Sequence, residues 1–107
     1  MSRYMISYFG GNPPATPDEG EQRMKAYAEW LDGLGDAAVS PANPLHDVHT
    51  IESDGTVSNR SSTLMTGYTI IETESMAAAL AVAKACPFLS IGGTIEVAEL
   101  LVMPDDN

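Results

Sequence analysis

The chain has one cysteine, Cys86, in 107 residues, so no internal disulfide can form and the fold must be held by its core alone. A chain of this length buries roughly two-thirds of the surface its unfolded form exposes, enough for a single domain spanning 1–107. Basic residues are also scarce. Arg3, Arg23, Lys25, Arg60 and Lys84 stand against fifteen acidic residues, and the net charge of -10 repels a phosphate backbone. The five cations are scattered and build no local patch, so nucleic acid is excluded as a partner. No apolar run approaches the ~20 residues of a membrane span, and the opening MSRYMISYF lacks the basic region and apolar core of a signal peptide. With a single thiol, this composition points to a soluble protein of the reducing cytoplasm. The stretch Gly10-Gly11-Asn12-Pro13-Pro14 is glycine-rich but lacks the Lys and Ser/Thr of a phosphate-binding loop, so a nucleotide site is not expected.

What is present is a sequence of clear local signals. Arg3 to Phe9 mixes aromatic and aliphatic residues of β-propensity and is stopped by the Gly-Gly-Asn-Pro-Pro loop. Thr16-Pro17-Asp18-Glu19 supplies an N-cap, a proline at the first helical position and the Glu of a capping box. In the helix that follows, Met24, Tyr27, Leu31 and Leu34 recur at helical spacing with Ala28 and Trp30 beside them, and Gly33 and Gly35 end it. Ala37 to Ser40 reads as a short strand, after which Pro41 to Pro44 wanders along the surface or an edge. Ser53-Asp54-Gly55 between extended segments predicts a hairpin, with Asp47 to Glu52 and Thr56 to Asn59 as its arms and a polar loop to Thr63. Thr66 to Thr73 is the strongest strand. Ser75 caps an alanine-rich helix from Met76 to Ala85, which Cys86-Pro87 terminates. Gly92-Gly93 then turns the chain into a last strand, Thr94 to Met103, with a frayed tail beyond.

This order places two helices on one face of a largely antiparallel sheet, an α+β fold of ferredoxin-like type. The other face is not plainly polar. In the last strand Ile95, Val97, Leu101 and Met103 alternate with Thr94, Glu96, Ala98, Leu100 and Val102, so both sides carry apolar residues. A sheet face left apolar away from the helices invites a second copy of the chain.

Several blocks resemble the YCII-related family of small bacterial proteins: Gly67-Tyr68-Thr69-Ile70-Ile71-Glu72, then Ser75-Met76 opening an Ala-rich helix, Ala85-Cys86-Pro87, Gly92-Gly93 and Ile95-Glu96-Val97. Upstream, Gly10 to Pro14, Thr16 to Glu19, Trp30 and the segment from Gly35-Asp36-Ala37 to Pro44 are similar to it too. The resemblance covers nearly the whole chain. It implies a homodimeric α/β barrel in which two ferredoxin-like units pair their sheets around a cavity; some members of the family are linked to cofactor-free enzyme chemistry and many have no assigned role. Two features depart from family patterns. The His that a branch of the family carries on its first helix, paired with an Asp, has no counterpart in Arg23-Met24-Lys25-Ala26, so that mechanism does not transfer. Another branch has Asp-Gly-Pro-Phe where this chain has Asp54-Gly55-Thr56-Val57, so the transcription-related partners of that branch do not transfer either.

Among the residues themselves, His46, Asp47 and His49 combine groups that move protons or bind metals. In an extended segment only Asp47 and His49 share a face, and no third nitrogen or sulfur ligand joins them, so no metal site is expected. Asp47 orienting His49 is the candidate acid/base pair; two unremarkable loop histidines are the plainer alternative. Tyr68, Arg60 and Glu96 are candidate ligand-binding groups, and Glu72 and Glu96 are strand carboxylates that an inward position would turn into bases. Tyr4 and Tyr8 are at one-face spacing and read as core. Cys86 lies at a helix C-terminus, where the dipole opposes thiolate formation, so it reads as a packing residue. The expectation is a cytoplasmic homodimer that binds a small organic molecule and turns it over, if at all, without cofactor. The alternative is a non-catalytic accessory protein whose dimer surface is its function.

Overall fold

The chain opens with strand β1 (Ser2–Gly10) and helix α1 (Pro17–Leu34), continues through β2 (Ala38–Pro44), a hairpin of β3 (Thr50–Ile51) and β4 (Val57–Ser58), β5 (Met65–Thr73) and α2 (Met76–Lys84), and closes with β6 (Gly93–Glu99). This is a computed structural model, and it describes residues 1–102. The four long strands form one antiparallel sheet in the order β2-β5-β1-β6, and β3 and β4 pair only with each other. Setting the hairpin aside, the succession is βαββαβ with both helices packed on the sheet, an α+β arrangement compatible with the ferredoxin-like fold.

Cross-strand partners fix which side chains share a face. Tyr4 stands opposite Ile71, Ile6 opposite Thr69 and Val97, and Tyr8 opposite Gly67 and Ile95. These inward residues meet Ala79 and Ala83 of α2 and Cys86, with Tyr27, Trp30 and Leu34 of α1 packed around them. Ile6 and Ile71 are fully buried, each stabilising the fold by roughly 1.5–3 kcal/mol. The small side chains of α2 let its backbone lie close to the sheet, and Trp30 Nε1 donates to the Val82 carbonyl at 3.2 Å, tying the helices together. Both N-caps form: Thr16 Oγ1 accepts from Glu19 N and Ser75 Oγ accepts from Ala78 N, each at 3.1 Å.

The structure departs from expectation at several points. Helix α1 passes through Gly33 and stops only at Gly35, whose φ of 56° suits glycine and whose N–H caps the Asp32 carbonyl. Tyr27, Trp30 and Leu34 form its inward stripe; Met24 lies off the core, 75 % exposed. Strand β2 includes Pro41 and Pro44; as an edge strand it pairs on one side alone, and its register against β5 shifts between Ala38 and Ser40 and between Ser40 and Asn43, so neither proline is needed as a ladder donor. The hairpin is shorter than predicted, although its turn forms as the Asp-Gly pair implies: Gly55 has φ 91° and Asp54 Oδ1 accepts from Thr56 N at 2.9 Å. Its Ile51 and Val57 are 70 % and 60 % exposed.

Strand β6 ends at Glu99. Its partner β1 starts at Ser2, so past the bond from Leu100 N to the Arg3 carbonyl there is no ladder left to extend. Met103 and the tail 104–107 lie outside the described residues. Between α2 and β6 the chain makes an unpredicted 3-10 turn, Pro87–Ile91. It explains the glycine pair: Gly92 adopts φ 80°, and a Cβ on Gly93 would overlap the Phe88 ring.

The sheet face away from the helices carries Met5 opposite Ile70 and Phe9 opposite Met65, all half-buried. No described element covers it.

Candidate functional site

The residues singled out from the sequence are scattered over the molecule rather than gathered at one site. The segment around the histidines is not a strand; Asp47 takes a left-handed backbone with φ 56°, and that bend brings its Oδ1 to 3.0 Å from His49 Nε2. The two side chains therefore meet, in the open, at 75 % and 46 % exposure. Arg60 is exposed in the loop after β4, where its carbonyl accepts from Thr50 Oγ1 at 2.8 Å. Glu96 is exposed on β6, the sheet edge opposite to β2. Glu72 forms an ion pair with Arg3 at 3.3 Å, a surface contact at the end of the sheet. No cluster of three or more His, Cys, Asp or Glu side chains suited to a metal occurs among the described residues. Likewise among them, no helix is long and apolar enough to cross a membrane.

The concave surface lies elsewhere. Between α1, β2 and the 3-10 turn runs an apolar groove of about 520 Å³, with Met24, Tyr27 and Leu31 on one wall, Ala42 on another and Phe88 and Ile91 on the third. It continues past Met24, Tyr27, Ala42 and Phe88 into an inner chamber of about 350 Å³, itself half open to solvent, that reaches Tyr8 and the Gly67-Tyr68 segment. Of the five sequence candidates, Tyr68 alone borders it. At the outer rim Arg23 donates to the Asn12 carbonyl and to Glu19 Oε1, the latter at 2.6 Å, so the guanidinium pins the first loop to α1.

Three hydroxyls meet at the inner end. Tyr8 Oη lies 2.6 Å from Thr69 Oγ1, and Tyr27 Oη lies 2.9 Å from Tyr8 Oη and 3.0 Å from Thr69 Oγ1. Thr69 in turn donates to the Pro41 carbonyl at 2.6 Å. Each hydroxyl has one proton, so the donors can be assigned in order. Thr69 spends its proton on Pro41, Tyr8 must then donate to Thr69, and Tyr27 donates to Tyr8. Burial raises the Tyr8 phenol well above its ordinary value, so Tyr8 stays neutral. Aromatic rings frame the network: Tyr27 meets Tyr8 edge-on at 5.9 Å, and Phe88 lies 5.2 Å from Tyr8. Cys86 is buried beneath, and desolvation pushes its thiol up, which suits a packing residue.

Sequence reasoning assigned Tyr8 and Tyr27 to the core and did not single out Thr69 or Phe88. The available signal was a hydroxyl at an inward position of the strongest strand, facing a tyrosine of the first: an inward polar group needs a partner.

No protein-family model and no curated protein matches this chain.

Proposed function

We propose that the chain is a YCII-related protein, a homodimeric α/β barrel of ferredoxin-like units that binds a small organic molecule in the groove between α1, β2 and the 3-10 turn. The observation that carries the binding reading is the groove itself: largely apolar walls, a volume within the range of small-molecule sites, and a few polar groups at its inner end, the Tyr8 and Tyr27 hydroxyls with Asn43 and Thr66 beside them. The dimer reading is supported by the apolar sheet face, where Met5, Ile70, Phe9 and Met65 have no described layer over them.

Acid/base turnover through Asp47 and His49 is the weaker part of this reading. The pair lies in solvent, and neither residue borders the groove. The inner chamber presents no imidazole or carboxylate to act as a base. That observation favours binding without turnover.

The dimer is tested by light scattering on the eluting protein, before and after Ile70→Asp. Twice the chain mass of 11.4 kDa for the wild type and the single mass for the variant is the expected result. A monomeric wild type would refute the barrel. Binding is tested by a crystal structure of the untreated purified protein, in which unassigned density between Phe88 and Tyr27 is expected; a groove filled by its own side chains would leave the accessory reading standing.

A further inference from the structure

We infer that the groove selects uncharged molecules with an apolar body and one hydrogen-bond donor, of phenol or alcohol type, and that Tyr27 Oη is the atom that accepts the donor. This inference rests on the groove being a binding site. It follows from counting protons and charges at the inner end. The chain Tyr27→Tyr8→Thr69→Pro41 carbonyl uses the proton of every hydroxyl in it. The head of the chain, Tyr27 Oη, keeps an acceptor lone pair, and Tyr27 lines both the outer groove and the inner chamber. A ligand hydroxyl donating to that oxygen adds a bond and breaks none. A ligand that can only accept has to take the Tyr27 proton at the cost of its bond to Tyr8, or compete for the Thr66 hydroxyl, which donates to the Tyr8 carbonyl at 3.4 Å, or for the Asn43 amide, which donates to Ser40 and to the Tyr68 carbonyl.

Charge narrows the class further. The lining of the inner chamber consists of neutral side chains, and Tyr8 is held protonated there. A ligand charge drawn inside would have no counter-ion, which is unfavourable in a largely apolar space. The nearest lining cation, Arg23, sits in the outer groove already engaged by Glu19 and the Asn12 carbonyl. The net charge of -10 disfavours anions as well. Aromatic walls from Phe88, Tyr8 and Tyr27 suit a flat ring.

The experiment compares four probes of similar size, 4-methylphenol, 4-methylanisole, para-xylene and 4-methylbenzoate, by titration into the isotopically labelled full chain while following the Met24 and Ala42 methyl signals by NMR. The phenol is expected to bind roughly 5–10-fold more tightly than the anisole, the size of one neutral hydrogen bond. Benzoate is expected to bind more weakly than the phenol. The phenol's advantage should disappear in a Tyr27→Phe protein whose circular dichroism and melting curve match the wild type. If that variant melts, Tyr27→Trp, which keeps a large aromatic but moves its polar atom, takes its place and should also abolish the advantage. Equal binding of phenol and anisole, or tighter binding of benzoate, would overturn the donor selection while leaving the groove as a site. If no probe moves the Met24 or Ala42 signals, both the inference and the binding function fail.

Discussion

Thr69→Val keeps the branched shape of a fully buried side chain and removes one oxygen from it. That oxygen makes three contacts in the wild type: it accepts from Tyr8 at 2.6 Å, lies 3.0 Å from Tyr27 Oη and donates to the Pro41 carbonyl at 2.6 Å. The residue is 0 % exposed, so water cannot replace the hydroxyl at its own position. Each neutral hydrogen bond contributes about 1 kcal/mol net. Tyr8 keeps its contact with Tyr27, and the Pro41 carbonyl lies on an exposed edge where solvent can reach it, so the loss stays below the sum of three full desolvation penalties. The expected destabilisation is ~2–3 kcal/mol, a fall in melting temperature of roughly 10 °C for a domain of this size, at fixed protein concentration. Denaturant unfolding gives the free energy. A double-mutant cycle with Tyr8→Phe should return a coupling of ~1 kcal/mol, because the two hydroxyls share one bond. Amide exchange should show Ser40 to Asn43 losing protection first, since the hydroxyl pins that edge strand to the sheet. A Thr69→Val protein within ~0.5 kcal/mol of wild type would refute the account of the hydroxyl chain, and with it the proton order at the inner end of the groove.

Alkaline titration tests the burial of the same network. Tyr8 has a raised folded-state value, so the unfolded chain gives up the phenol proton first; its stabilising contribution is complete below about pH 10 and falls as pH rises further, by at most ~1.4 kcal/mol per pH unit. Of the four tyrosines, at least one should fail to ionise by ultraviolet absorbance until the chain unfolds, and Tyr8→Phe should remove that late step. The buried Cys86 thiol acts in the same direction, and should be inert to a thiol reagent in the native protein and reactive once denaturant is added. Gly93→Ala drives a Cβ into the Phe88 ring, so it should destabilise by ~1–3 kcal/mol and, because Phe88 walls the groove, shift the Met24 and Ala42 methyl signals; an unchanged stability and spectrum would contradict the packing seen there.

Much of the architecture was legible because its signals are local. The Thr16 and Ser75 caps, the Asp54-Gly55 turn and the Cys86-Pro87 stop each act through bonds or steric limits within a few residues, and each is present in the structure. The order of strands and helices along the chain was enough to expect an antiparallel sheet with helices on one side. The 3-10 turn was missed because Phe88 to Ile91 has no distinctive composition; its place is set by Phe88 packing beside Gly93 and Tyr8. The length of β6 depended on where its partner strand begins, a fact that β6 itself does not carry.

The candidate site shows the same division more sharply. Asp47 and His49, two residues apart, could be paired from spacing alone, and they do meet, though through a left-handed bend rather than an extended segment. Tyr8, Tyr27, Thr69 and the Pro41 carbonyl come from four separate elements or segments, up to 61 residues apart for the Tyr8–Thr69 contact, and no periodicity in any one of them marks the others. The sequence by itself determined the order of the two helices and the long strands and where the caps and the hairpin turn fall, because propensity, capping and turn chemistry are short-range. Only the tertiary structure decided which hydroxyls share protons and where the groove opens, because those depend on strand order, register and the angle at which α1 crosses the sheet.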